Sequence, residues 1–151
     1  MPNALTMLQN SPEPFDAPTL DDVRAARARI RGTVIRPPIV TSVLGPDVRL
    51  VLDCLQPTGA FKVRGATNAI ATLPAAAKAC GVVCCSTGNH ARALAHAGRA
   101  AGVPVAVCLS ALVPDNKVAA IEALGAEVVR TGQRQDEAQE VATQLVAERG
   151  L

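Results

Sequence analysis

The sequence predicts an α/β protein: a doubly wound parallel sheet with helices on both faces. Three features predict it. From Val48 onward, short apolar runs of strand length alternate with longer segments of helical periodicity. The strand runs are rich in valine and hardly interrupted by polar residues, the pattern of strands covered on both faces. Glycine or proline marks most of the junctions between runs.

Ahead of the alternation, proline-rich text from Pro12 to Pro18 leads into a first helix. Thr19 can cap it, with Asp22 three residues on as reciprocal partner, and Gly32 closes it. "RPPIVTS", Arg36 to Ser42, reads as an extended crossing segment, because Pro37 and Pro38 deny it both helix and ladder donors. "VRLVLDCL" is the first strand, and "GAFKVRGATNAIATL" the helix after it. "GVVCCS" is a buried strand followed by the helix "NHARALAHAGRAA". Then come the strand "VPVAVCL", the helix "DNKVAAIEAL" ending at Gly125, and the strand "AEVVRT". The last helix places Ala138, Val141, Ala142, Leu145 and Val146 on one face, with Gly150 after it. Four strands alternating with four helices give a parallel sheet with right-handed crossovers.

Composition excludes several functions. A chain of 151 residues suits one domain with a hydrophobic core. With 49% hydrophobic and 19% charged residues it reads as globular. The net charge of +2 is dispersed, and no Trp or Tyr and only two Phe are available for base stacking, which argues against nucleic acid. No apolar run reaches the length of a membrane span. The N-terminal text lacks the pattern of a secretory signal and reads as a loose arm on a cytoplasmic protein. Five cysteines without CxxC spacing fit neither a disulfide framework nor a zinc site; they read as small hydrophobes, and no metal site is expected.

In parallel sheets ligands gather where strands end and helices begin. That singles out two turns, "QPTGAFK" and "CSTGNHA". Lys62 stands at the start of a helix, where free amides and the macrodipole disfavour an ammonium group. Phe61 could add desolvation, and a lysine kept partly neutral is a nucleophile able to form a Schiff base with an aldehyde. Gly59 permits the turn, and Gly65 would allow close helix packing. The alternative is a solvated first-turn lysine. In the second turn, Ser86, Thr87, Gly88 and Asn89 offer hydroxyls, an amide and free backbone amides to a carboxylate or phosphate. Ordinary capping by Ser86 or Thr87 accounts for the same residues. His90 could serve as a base or be structural; Arg92, His96, Arg99, Lys117 and Glu122 read as solvated side chains.

"PTGAFKVRGA", "STGNHARALAHAGRAAGVPVAVCL" and "VPDNKVAAIEALGAEVV", in that order, resemble the fold-type II pyridoxal-phosphate enzymes, specifically the serine/threonine dehydratase and serine racemase branch. "LQPTGAFK" and "CCSTGNH" also resemble hydroxyectoine-utilisation dehydratases within that branch. The resemblance runs from about Leu20 to the end and implies the tryptophan-synthase-β-like fold. It implies that Lys62 holds pyridoxal 5'-phosphate, that Phe61 packs near it, and that Asn89 hydrogen-bonds its phenolic oxygen. It further implies that Ser86, Thr87, Gly88, Asn89 and His90 receive the substrate carboxylate. The implied reaction removes the β-hydroxyl of a serine- or threonine-like amino acid, giving a keto acid and ammonia. Racemases of the branch use a second acid, usually serine, where this chain has Thr87; its methyl group restricts the space, which favours elimination.

The resemblance implies a domain division as well. Residues 1–47 would be an arm and first helix belonging with the family's larger domain, and 48–151 the smaller cofactor domain. The larger C-terminal domain lies outside this chain, with the glycine-rich phosphate loop, the pyridine-nitrogen contact and the cation site. The expectation is that this chain alone is inactive or nearly so, and that the full-length form is a homo-oligomer. Relatives usually carry an acidic-asparagine pair where this chain reads "LDCLQ". Two rival readings stay open. One is a β-replacement enzyme of the cysteine synthase type, which normally shows "SVKDR" and "TSGNTG" at these turns. The other is a non-catalytic, partner-binding remnant.

Overall fold

A computed structural model describes residues 17–151; the expected arm through residue 16 lies outside the described residues. Helix α1 (Leu20–Arg29) starts as its sequence dictates. The Thr19 hydroxyl accepts from the Asp22 amide at 3.2 Å, and the Asp22 carboxylate accepts from the Thr19 amide at 2.8 Å. The chain then turns through Gly32, whose φ of 89° is open mainly to glycine.

Strands β1 (Ile39–Thr41) and β2 (Arg49–Val51) pair antiparallel, from Ile39 with Val51 to Thr41 with Arg49. Two expectations fail here. The segment after the two prolines does enter a ladder, because a proline loses its donor but keeps its acceptor: the Leu52 amide donates to the Pro38 carbonyl at 3.0 Å. And "VRLVLDCL" does not open the parallel sheet. Its extended part stops at Val51, and Asp53–Leu55 form a 3-10 turn in which the Asp53 carboxylate accepts from the Gln56 side chain at 2.9 Å.

The parallel sheet therefore has three strands where four were expected: β3 (Val82–Cys85), β4 (Val105–Leu109) and β5 (Glu127–Arg130), side by side in that order. Its helices are α2 (Lys62–Thr72), α3 (Ala75–Cys80), α4 (Asn89–Ala101), α5 (Asp115–Glu122) and α6 (Gln135–Arg149). The short α3 follows Pro74 in alanine-rich text with too little periodicity to be read from sequence.

Strand β4 is buried at every residue and divides the core by its period of two. Val105, Val107 and Leu109 pack with Val63 and Ile70 of α2, Ala91 and Leu94 of α4, and Ile121 of α5. Cys108 faces the other way, onto Ala138, Ala142 and Leu145 of α6. Each aliphatic side chain so buried contributes about 1.5–3 kcal/mol. Val146, expected on the packed face of α6, is 45% exposed. Helix α4 lies close to β4: a Cβ added at Gly98 would stand 2.8 Å from the Val103 carbonyl oxygen. Among the described residues no helix is long and apolar enough to cross a membrane.

Candidate active site

The lysine turn is built from behind. Gln56, 3% exposed, accepts from the Ile35 amide at 3.1 Å and donates to the Ile35 carbonyl at 2.8 Å, fixing the turn to the segment after α1. The Gly59 amide then donates to the Gln56 carbonyl at 2.7 Å, with Gly59 at φ 73°, and α2 begins at Lys62. Thr58 is 1% exposed and its hydroxyl has no hydrogen-bond partner among the described residues. The sequence reading passed over Thr58; the signal was a hydroxyl locked between a proline and a turn glycine.

Phe61 does not desolvate the lysine. It is 60% exposed, and the Lys62 Nζ lies 5.0 Å from its ring centroid, so the ring offers its face to the cation instead of covering it. Lys62 forms no ion pair with a described carboxylate. Gly65 has open space where a Cβ would stand, so the close packing expected of it is supplied by Val63, Ala66, Thr67 and Ile70.

The second turn resolves one of the alternatives. Gly88, not Ser86 or Thr87, occupies the N-cap of α4, and no side chain caps it. The Ser86 hydroxyl accepts from the Gly88 amide at 3.4 Å, a contact that leaves the first-turn amides of α4 free of side-chain caps. Neither α2 nor α4 carries an acidic residue in its first turn.

The two helix starts share one end of the molecule. Thr67, Ile70 and Ala71 line a cavity of about 150 Å³ together with Ala97, Ala100 and Ala101, so the later turns of α2 and α4 adjoin and the helices run in the same sense. Their first residues, Lys62 and Asn89, therefore point the positive ends of both dipoles the same way. Thr87, Gly88 and Asn89 line a further cavity of about 320 Å³ with Arg92, Asn116 and Lys117. Ser86 and His90, Phe61 and Lys62 do not line it.

This corrects the reading of Arg92 as a solvated side chain, while Lys117 is exposed as expected. The Arg92 Nε is buried and has no partner among the described residues, at the wall of a cavity that already collects helix-terminal amides. The missed signal was the i, i+3 relation of Arg92 to Asn89, which puts both on one helix face. Arg99 follows the expectation more nearly, exposed and donating to the Ala123 carbonyl at 3.3 Å.

The cysteines are all free. Cys108 is buried and Cys84 and Cys85 half-buried, as expected of small hydrophobes, but Cys54 and Cys80 are exposed. Burial pushes the Cys84 thiol up to about 12, so it stays protonated and inert at neutral pH.

The sequence profile of the family described as "Pyridoxal-phosphate dependent enzyme" matches residues 28–151. A Sinorhizobium fredii protein provisionally named a threonine dehydratase is 47% identical over 138 residues, 88% of this chain and 42% of its own length. The L-threonine ammonia-lyase of Geobacter sulfurreducens is 40% identical over 133 residues, 85% of this chain and 33% of its own. Maize serine racemase superposes with a TM-score of 0.83 at 31% identity, covering 89% of this chain and 43% of that structure. The chain spans less than half the length of these relatives. It belongs to the family of pyridoxal-phosphate-dependent enzymes.

Proposed function

We propose that the chain supplies the lysine-bearing part of a pyridoxal-phosphate-dependent ammonia-lyase that dehydrates a serine- or threonine-like hydroxy amino acid. In this reading residues 48–151 are the cofactor domain and residues 1–47 belong with a larger companion domain. The observation that carries it is the pair of uncapped helix ends, α2 with Lys62 and α4 with the Thr87–Asn89 loop, opening at one end of the molecule.

The residues present fit a cofactor that carries an aldehyde and a substrate that carries a carboxylate. Lys62 offers an amine without a carboxylate partner among the described residues, and the orphaned Arg92 Nε and free α4 amides offer donors to an anion. Bound pyridoxal phosphate would supply an electron sink for the pair of electrons left on the substrate's α-carbon. Lys62 Nζ would hold the cofactor's aldehyde carbon, and as a free amine it would take the substrate's α-proton. Asn89 would donate to the cofactor's phenolic oxygen, and Ser86, Thr87, Gly88, Asn89 and His90 would hold the substrate carboxylate. The β-hydroxyl leaves as water, and hydrolysis of the enamine gives a keto acid and ammonia. Thr87 brings a methyl group to the position of a racemase's second acid, which supports elimination over racemisation. The wording of the two turns supports a hydroxyectoine-utilisation dehydratase as the subgroup, in a cytoplasmic homo-oligomer.

The chain's three lysines make a direct test. Mixing with pyridoxal phosphate, reduction with borohydride and peptide mapping should place the label on Lys62 in preference to Lys78, whose Nζ donates to the Ala71 carbonyl at 3.1 Å, and to Lys117. Label spread evenly over the three lysines would overturn the assignment.

A further inference from the structure

A third cavity, of about 290 Å³, is lined by four arginines: Arg27, Arg31, Arg36 and Arg64. They come from three separate pieces of chain. Arg27 lies in the last turn of α1 and Arg31 one helical turn further on, where it bridges Val34. Arg36 follows Ile35, the residue whose amide and carbonyl are both held by the buried Gln56. Arg64 stands in the first turn of α2, two residues after Lys62.

Four of the arginines outside this cavity have a carboxylate partner, Arg134 with Asp136 among them. Arg24 pairs with Asp21 at 2.9 Å, Arg130 with Asp115 at 2.7 Å, and Arg149 with Glu127 at 2.8 Å. Arg64 lies 3.9 Å from Asp53, whose carboxylate also accepts from Gln56, and Arg27, Arg31 and Arg36 have no side-chain hydrogen bond or ion pair with a described residue. Like charges lining one cavity repel one another, and an anion between them relieves that repulsion. Ile30, Val34 and Ile35 complete the lining.

We infer that this cavity binds a compact phosphate-bearing anion. The guanidinium fork matches phosphate oxygens in pairs, and a tetrahedral group accepts from several arginines arriving from different directions, where a planar carboxylate satisfies one or two. The volume sits at the lower edge of the range for small-molecule sites, about 300–1,000 Å³, which suits pyrophosphate or a small phosphate monoester. The site is separate from the Thr87–Asn89 cavity, with which it shares no lining residue.

Calorimetric titration of the 151-residue chain with pyrophosphate tests this, with acetate as the carboxylate control. Saturable single-site binding of pyrophosphate and none of acetate is the expected result. The double variant Arg27→Gln/Arg36→Gln should weaken it by about tenfold for each arginine (about 1.4 kcal/mol each). Arg27→Lys/Arg36→Lys keeps both charges but loses the forks and should also bind more weakly, with the fold undisturbed because both side chains are exposed. Arg24→Gln, on the same helix but outside the cavity, should bind like the parent. Absence of saturable heat, equal affinity in both double variants and the parent, or acetate binding as well as pyrophosphate would each overturn the assignment.

Discussion

The N-terminus of α1 is closed by its own side chains, whereas that of α4 is left open. At α1, Thr19 and Asp22 exchange hydrogen bonds, and Asp21 and Asp22 put negative charge against the dipole. Helix α6 shares only the charge, with Asp136 and Glu137 in its first turn but no side-chain cap at Arg134. At α4 the N-cap is a glycine, the first turn holds no acid, and the Ser86 hydroxyl accepts from the Gly88 amide. Helix α2 shares that openness and adds a lysine. The contrast teaches that a helix end finished internally serves the fold, while one left with free donors is prepared for a charge from outside.

The largest expected effect comes from Lys62→Ala, which should abolish the borohydride-trapped adduct while unfolding measurements stay near those of the parent, because the side chain is exposed. Survival of most of the label would break the contrast at its functional end. Gly88→Asp gives the open helix a cap. Space is available there, and its φ of −135° suits other residues. Stability should rise by about a few tenths of a kcal/mol, while the α4 amides lose affinity for an anionic ligand by at least about tenfold. Thr19→Ala does the reverse at the closed end. It should cost about 1 kcal/mol of stability and leave the trapped adduct unchanged.

Acid sharpens the same comparison. Hydrogen bonds from the Thr19 hydroxyl and amide hold the Asp22 carboxyl below its usual 3.8. A lowered value in the folded state means that this stabilisation is complete above 3.8 and disappears as pH falls through the folded value. The gap between Thr19→Ala and the parent should therefore narrow in that range, as read by thermal unfolding. In the core the comparison is read only at alkaline pH. Between 9.0 and about 12 the unfolded chain gives up the Cys84 proton and the folded chain does not, so stability falls as pH rises through that window. Cys84→Ala should flatten that slope.

Most of the fold was legible because its signals are local. Thr19 and Asp22 announce α1, valine runs announce β3 and β4, and the repeating apolar face of α4 announces its burial. The hairpin was not, since pairing of Ile39 with Val51 is a contact between segments with no periodicity to betray it. Of the site, the two turns could be read as motifs, but the cavity joining Asn89 and Arg92 to Lys117 depends on how α4 and α5 meet. Whether Phe61 covers or flanks the amine is likewise a question of side-chain placement, and here it flanks.

The most direct measurement is an amide-resolved NMR titration of the chain with pyridoxal phosphate and L-serine together. The amides of Gly88, Asn89, His90 and Ala91 should shift with saturation, and those of Leu20 to Val23, closed by the Thr19–Asp22 exchange, should remain in place. Equal responses at both helix ends, or silence at Gly88 to Ala91, would contradict the claim that α4 is kept open for an incoming anion.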